Sequence, residues 1–277
     1  MKAARVRYRG EIRTALQIED GLLLIPESGP SPVDIIVADG WERLAVLATE
    51  HVERDEVDYL APVERPSKLL GIGLNYQDHA DEQRLRPPSV PAVFPMFASS
   101  VTGPGDAIPL YPITAQTDYE AELGAIIGPR ASHVAAGDAL EYVAGYTIVN
   151  DVTARDLQSS DAQWVRGKAL DGYAPMGPVI VSPDEFGAVA GHRITCEVNG
   201  EVRQDSDTGN LIFDLPALIA HISEAITLEP GDVIATGTPS GVGHFMDPPR
   251  YLEDGDVVTI RIEGIGELSN PVARTPW

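Results

Sequence analysis

Glu120 and Glu122 are separated by one residue, and Asp151 follows at the end of a second apolar run. Side chains alternate along an extended segment, so Thr117–Gly124 is predicted to turn both glutamates to one face, about 7 Å apart along the strand. Tyr119, Ala121 and Leu123 take the other face. A strand ending in Ile148-Val149-Asn150, lying alongside, would add Asp151. Two like charges ~4 Å apart repel by about 4 kcal/mol at an effective dielectric of ~20, so three converging carboxylates require a cation. An all-oxygen donor set suits magnesium, manganese or calcium. An exposed edge strand with acidic alternation is the competing reading.

Other groups could work beside such a centre. His79 and Glu82 stand at i and i+3, side by side on a helical turn, where a carboxylate orients an imidazole and makes it a base. The same spacing also describes a solvated helix face. Lys168 lies between Gly167 and Gly172, in a segment where a backbone can approach a ligand, although lone lysines are usually solvated. Thr236–Gly243 ends a strand in a glycine-rich loop with hydroxyls that suit a carboxylate, or is a plain turn. Gly71-Ile72-Gly73-Leu74-Asn75-Tyr76 lacks the third glycine of a dinucleotide loop and is not read as one. His51, His133, His192, His221 and His244 have no local company and are assigned no role, and Cys196 reads as a core residue.

The elements that must position these groups are mostly strands. Short runs rich in valine and isoleucine, among them Tyr146–Val149, Val179–Val181, Ile194–Val198, Val233–Ala235 and Val257–Ile262, are punctuated by Gly, Pro and Asp-Gly turns. The clearest helix spans Leu215–Ile226, and a second is expected over Trp41–His51. Without regular strand–helix alternation, the pattern predicts a mixed α/β, β-rich fold. Residues 1–62 read as a small N-terminal unit and 67–277 as the larger domain, with the proline-bearing Ala61–Pro66 between them.

Among 277 residues, 42 acidic against 20 basic side chains give a formal net charge of −22, which opposes nucleic acid and anionic membranes. The single cysteine excludes an internal disulfide, and neither a signal peptide nor a membrane span is visible. A cytoplasmic protein is expected.

Taken in order, several segments resemble the fumarylacetoacetate hydrolase family: Gly73–Tyr76 with His79–Glu82, Thr102–Asp106, Asp118–Leu123, Asn150–Gln158, Gln163-Trp164 with Gly167-Lys168, and Leu228–Pro239. The resemblance spans about residues 67–272. It implies a mixed β-sandwich roll as the C-terminal domain and a homodimer. It also implies magnesium or manganese held by Glu120, Glu122 and Asp151, a His79–Glu82 dyad, Lys168 facing developing negative charge, and Gln158 and Thr238 contacting substrate. Met96, Ala169 and Leu170 stand where many relatives have more polar residues, which leaves the specific substrate open. The expected activity is hydrolysis of a carbon–carbon bond in a 2,4-diketo acid by a water that His79 and Glu82 activate. Decarboxylation of oxaloacetate-like acids, isomerisation or hydration of a 2-oxo acid through the same metal-stabilised enolate is the alternative. A non-catalytic keto-acid-binding protein is a third reading. Glu82–Pro88 is expected to act as a lid over the metal.

Overall fold

A computed structural model describes residues 1–26 and 29–275. Its largest sheet runs through Glu50–Val52, Gly21–Leu24, Glu11–Ile18, Lys2–Tyr8, Ala174–Val181, Val143–Asn150, Ala121–Ile127, Val233–Ala235, Leu69–Gly73 and Ala92–Met96 in spatial order. A five-stranded sheet runs Glu201–Asp207, Arg193–Val198, Val257–Ile262, Gly266–Arg274 and Ile108–Leu110. Thr117–Asp118 pairs separately with Thr153–Ala154. Strands dominate, as the sequence predicts. The N-terminal strands continue the large sheet through Lys2 opposite Val181 and Ala3 opposite Ile180.

The middle of the large sheet places the acidic residues. Ala121–Ile127 and Val143–Asn150 are buried at every position, which removes the exposed edge strand as a reading of the acidic alternation. Their antiparallel register sets Ala121 opposite Asn150 and Glu122 opposite Val149. Glu120 and Asp151 fall just past the end of this ladder, where the Asp151 N–H donates to the Glu120 carbonyl at 2.9 Å. A one-residue slip would carry Glu122 to the opposite face. On one face Leu123, Ala125 and Ile127 pack with Ile194, Cys196, Ile260 and Ile262 of the five-stranded sheet, so Cys196 is a core residue. On the other, Ile126, Val149 and Ile180 join Val33, Ile36 and Leu44 of the helix Pro32–Leu47.

Two expected elements differ from those observed. Thr117–Gly124 is not one strand, because side chains replace the ladder at Tyr119 and Glu120. The Tyr119 N–H donates to Asp118 Oδ1 at 3.0 Å, and the Glu120 N–H to Asn150 Oδ1 at 3.1 Å. The helix expected over Trp41–His51 is Pro32–Leu47, and His51 lies in the strand Glu50–Val52. It starts at a Ser31–Asp34 capping box with Pro32 in the first turn. Gly40 has φ 81° and divides it into two helical halves, of which the first supplies buried Val33, Ile35 and Ile36 and the second buried Leu44. The helix Leu215–Ala225 forms as expected, burying Leu215, Leu218, Ile219 and Ile222.

Candidate metal centre and active-site cleft

Glu120, Glu122 and Asp151 are all buried, and each offers an oxygen within 4.8 Å of the others. Both glutamates therefore reach one point, although only Glu122 lies in a long strand. Asp151 Oδ1 is buried and has no hydrogen-bond partner, a costly condition for a carboxylate oxygen that a coordinated cation would relieve. Glu122 Oε2 accepts the Gly237 N–H at 2.9 Å, which orients the carboxylate from the neighbouring Val233–Ala235 strand end.

Two buried cations partly balance the acids. Lys168 Nζ donates to Glu120 Oε2 and to Asp151 Oδ2, each at 2.7 Å. Arg155 reaches Glu120 Oε1 at 2.7 Å and Asp118 Oδ2 at 2.9 Å, while its Nη2 is buried without a partner. Asp118, Glu120, Glu122 and Asp151 set against Lys168 and Arg155 leave two negative charges when all are ionised, the charge of one divalent cation. Burial alone would raise Glu120, but Lys168 and Arg155 together outweigh it and hold the carboxyl at about 2. Burial pushes Asp151 up to about 7 despite Lys168. Burial, with Asp151 and Glu120 nearby, pushes Glu122 well above the usual carboxylate range. Carboxyls this close and this buried resist joint ionisation, and a divalent cation between them would favour their ionised form. The residues present fit a divalent ion.

The same cleft carries the histidine. The helix Gln77–Glu82 places His79 Nδ1 2.8 Å from Glu82 Oε2, so the sequence spacing forms a real pair. The Gln83 amide lies 2.8 Å from His79 Nε2, and because Nε2 accepts there, the ring proton sits on Nδ1 against Glu82. Glu82 is fixed in turn by the Gly241 N–H at 2.9 Å, and Phe245 packs edge-on to the His79 ring.

A cavity of about 310 Å³ joins these groups. It is lined by the three carboxylates, His79 and Lys168, and by Gln158 and Thr238, with Glu82 behind His79. Gln158 Oε1 accepts from Arg155 at 3.3 Å, and Thr238 Oγ1 accepts from Gln204 at 2.8 Å. Phe94 and Trp164 form an apolar wall, edge to face at 5.5 Å. That wall explains the glycines rejected as a nucleotide loop: a Cβ on Gly71 would lie 2.2 Å from the Phe94 ring, and one on Gly73 2.4 Å from Trp164. Gln83 and Leu85, from the segment expected to be a lid, also line the cavity. Met96 is buried in the apolar cluster that contains Phe94.

Sequence reasoning missed several members. Arg155 stood inside a quoted motif without a role, and Asp118 opens the same acidic run. Gln204, fully buried, links the Ala121 N–H to Thr238 and the Pro239 carbonyl. His244 lines the cleft although its neighbours in sequence gave no reason to choose it.

Residues 68–273 match the family model of the fumarylacetoacetate hydrolase C-terminal domain. The chain is 44% identical over 222 residues to the mitochondrial oxaloacetate tautomerase Fahd2a of Rattus norvegicus, covering 80% of this chain and 71% of that one. Among solved structures, the fumarylacetoacetate hydrolase of psychrophilic Exiguobacterium antarcticum has a TM-score of 0.90 at 39% identity, covering 99% of this chain and 100% of that one. The 5-carboxymethyl-2-hydroxymuconate delta-isomerase of Mycobacterium smegmatis has a TM-score of 0.83 at 34% identity, covering 99% and 100%. A tautomerase and an isomerase among these relatives overturn the expected carbon–carbon hydrolase. The residues could not separate the branches, because hydrolysis and tautomerisation share the cation site and the base. The mitochondrial location in the tautomerase's name likewise overturns the expectation of a cytoplasmic protein. Among the described residues no helix is long and apolar enough to cross a membrane. With most of its length inside the family model and a near-complete structural match to a named member, the chain belongs to the fumarylacetoacetate hydrolase family.

Proposed function

We propose that the cleft interconverts the keto and enol forms of a small 2-oxo acid of the oxaloacetate type, with magnesium or manganese at Glu120, Glu122 and Asp151. When bound, the ion supplies Lewis acidity toward the oxygens of the 2-oxo acid. The observation that carries the reading is the placement of a buried imidazole, its Nδ1–H locked on Glu82, on the same 310 Å³ cavity as the carboxylate cluster and a buried ammonium. His79 takes a proton from the carbon beside the 2-oxo group at Nε2, after Gln83 yields that position, and returns it to the enolate oxygen. Glu82 holds the ring and shares the charge that forms on it. Lys168 stays protonated because Asp151 and Glu120 outweigh the effect of its burial, and it puts positive charge beside the developing enolate. Arg155 turns its unpartnered Nη2 toward the acid's oxygens, with Gln158 and Thr238 completing the polar lining. No atom is added to the substrate, so Phe94 and Trp164 can exclude water from the reacting carbon without cost to the reaction.

The test is to follow the ultraviolet band of enol oxaloacetate with magnesium present while assaying pyruvate in the same cuvette. Enzyme-dependent relaxation to the keto–enol equilibrium without pyruvate is the expected result. Pyruvate formed in step with enol loss would replace tautomerisation by decarboxylation, and no acceleration over buffer would remove both.

A further inference from the structure

His244 has no part in the chemistry above, yet it lines the same cavity, beside Phe245. It sits in the short turn Gly243–Phe245, and this turn is fastened to Asp118, which accepts the Gly243 N–H and the His244 N–H, each at 2.9 Å. Asp118 also holds Arg155, so one buried carboxylate fixes the position of both residues. The ring itself is oriented twice: Nδ1 lies 2.9 Å from the Tyr251 hydroxyl, and Phe245 stands edge-on at 4.8 Å. The Tyr251 hydroxyl has no other hydrogen-bond partner among the described residues. When that hydroxyl donates to Nδ1, the ring proton resides on Nε2, the nitrogen with no protein partner among those residues.

An oriented N–H without a protein acceptor, on the wall of a substrate cleft, is a recognition group. Gln83, Gln158 and Ser159 each make a hydrogen bond within the protein, to His79, Arg155 and the Asp156 carbonyl, whereas Nε2 of His244 makes none among the described residues. His244 is half-buried, whereas the carboxylate cluster is fully enclosed, so it stands farther out along the cleft than the reacting head of a 2-oxo acid. Phe245, packed edge-on to it, offers nothing polar.

We infer that His244, oriented by Tyr251 and Asp118, is a specificity-determining residue that donates from Nε2 to a second carboxylate at the far end of the substrate. This rests on the 2-oxo acid reading of the site and narrows it to dicarboxylates. A burial-lowered pKa, which the nearby Arg155 lowers further against the opposing pull of Asp118, keeps the ring neutral near pH 7, so the donor does not compete with Lys168 for the acid's reacting end.

Oxaloacetate and 2-oxobutanoate differ at the far end only in a carboxylate against a methyl group. Their affinities for the magnesium-loaded protein are measured by calorimetry in wild type, His244→Phe, His244→Gln and Tyr251→Phe. The wild type should prefer oxaloacetate, and His244→Phe should weaken oxaloacetate binding about 10- to 100-fold, as loss of a hydrogen bond to a charged group does. Binding of 2-oxobutanoate should not change. His244→Gln, which restores an N–H donor, should recover part of the preference, and Tyr251→Phe should lose part of it. An unchanged preference in a folded His244→Phe protein overturns the inference, as does a wild type that binds both acids equally. A wild type that prefers oxaloacetate but does not tautomerise it would sink the proposed activity and leave the role of His244 standing.

Discussion

The two walls of the cleft are built by different means. The acidic wall comes from the centre of the large sheet, where a ladder between Ala121–Ile127 and Val143–Asn150 and the ion pairs of Lys168 and Arg155 fix every group below the surface. The histidine wall is a single six-residue helix, Gln77–Glu82, tied down by the Gly241 N–H on Glu82 and by the Ser206 hydroxyl on Asp78. Burial strengthens charge interactions and makes each unpaired charge expensive, so the first wall couples chemistry to stability. The second can lose its chemistry and keep its fold.

Exchanging one residue on each wall tests that contrast. His79→Ala should reduce enol–keto turnover by about 10² to 10⁴, while thermal unfolding and magnesium affinity stay near wild type; a large fall in unfolding temperature would break the comparison. Lys168→Met should lower turnover and, unlike His79→Ala, also destabilise the metal-free protein. Stripping the cation from Glu120 and Asp151 is expected to cost about 3 to 5 kcal/mol in denaturant unfolding, and added magnesium should recover part of it. A neutral effect would mean that the ion pairs are not what holds the acidic wall.

Protons should compete with the metal on that wall. Burial pushes Asp151 up to about 7 and Glu122 well above the usual carboxylate range when no metal is bound, so both keep their protons at pH values where the unfolded chain has lost them. These two groups make the metal-free fold lose stability as pH climbs from the unfolded carboxyl range toward 7. Metal binding must expel those two protons, and affinity should fall by up to about a hundredfold per pH unit as pH drops below 7. Calorimetry across buffers of different ionisation heat counts the protons released, and a pH-independent affinity would remove the coupling. On the other wall, Glu82→Gln keeps the shape but weakens the imidazole's partner, and a loss of roughly tenfold in turnover is expected. The smallest effect belongs to neither wall: replacing exposed Arg193, paired with Asp205, should leave activity and unfolding unchanged.

The contrast also explains what could be read from the sequence. His79 and Glu82 are three residues apart, and helical geometry alone brings them together. Glu120 and Glu122 were legible as a pair through strand alternation, although the break at Tyr119 means that the alternation reached the right residues through a strand that does not exist as drawn. Asp118 and Arg155 meet across 37 positions, Gln204 and Ala121 across 83, and Gly243 and Asp118 across 125. Periodicity cannot register partners at that range, which is why Asp118, Gln204 and His244 were invisible as site residues. The reaction branch was hidden for a chemical reason, since one enolate serves several outcomes.

Enolisation in this cleft is proposed to depend on one divalent ion held by Glu120, Glu122 and Asp151. Manganese titrated into chelator-stripped protein and read by electron paramagnetic resonance, alongside the enol assay, tests it most directly. One tightly bound ion per chain, with turnover tracking occupancy and both lost in Asp151→Asn, is the predicted result. Full turnover with no ion bound, or unaltered manganese binding in Asp151→Asn, would contradict it.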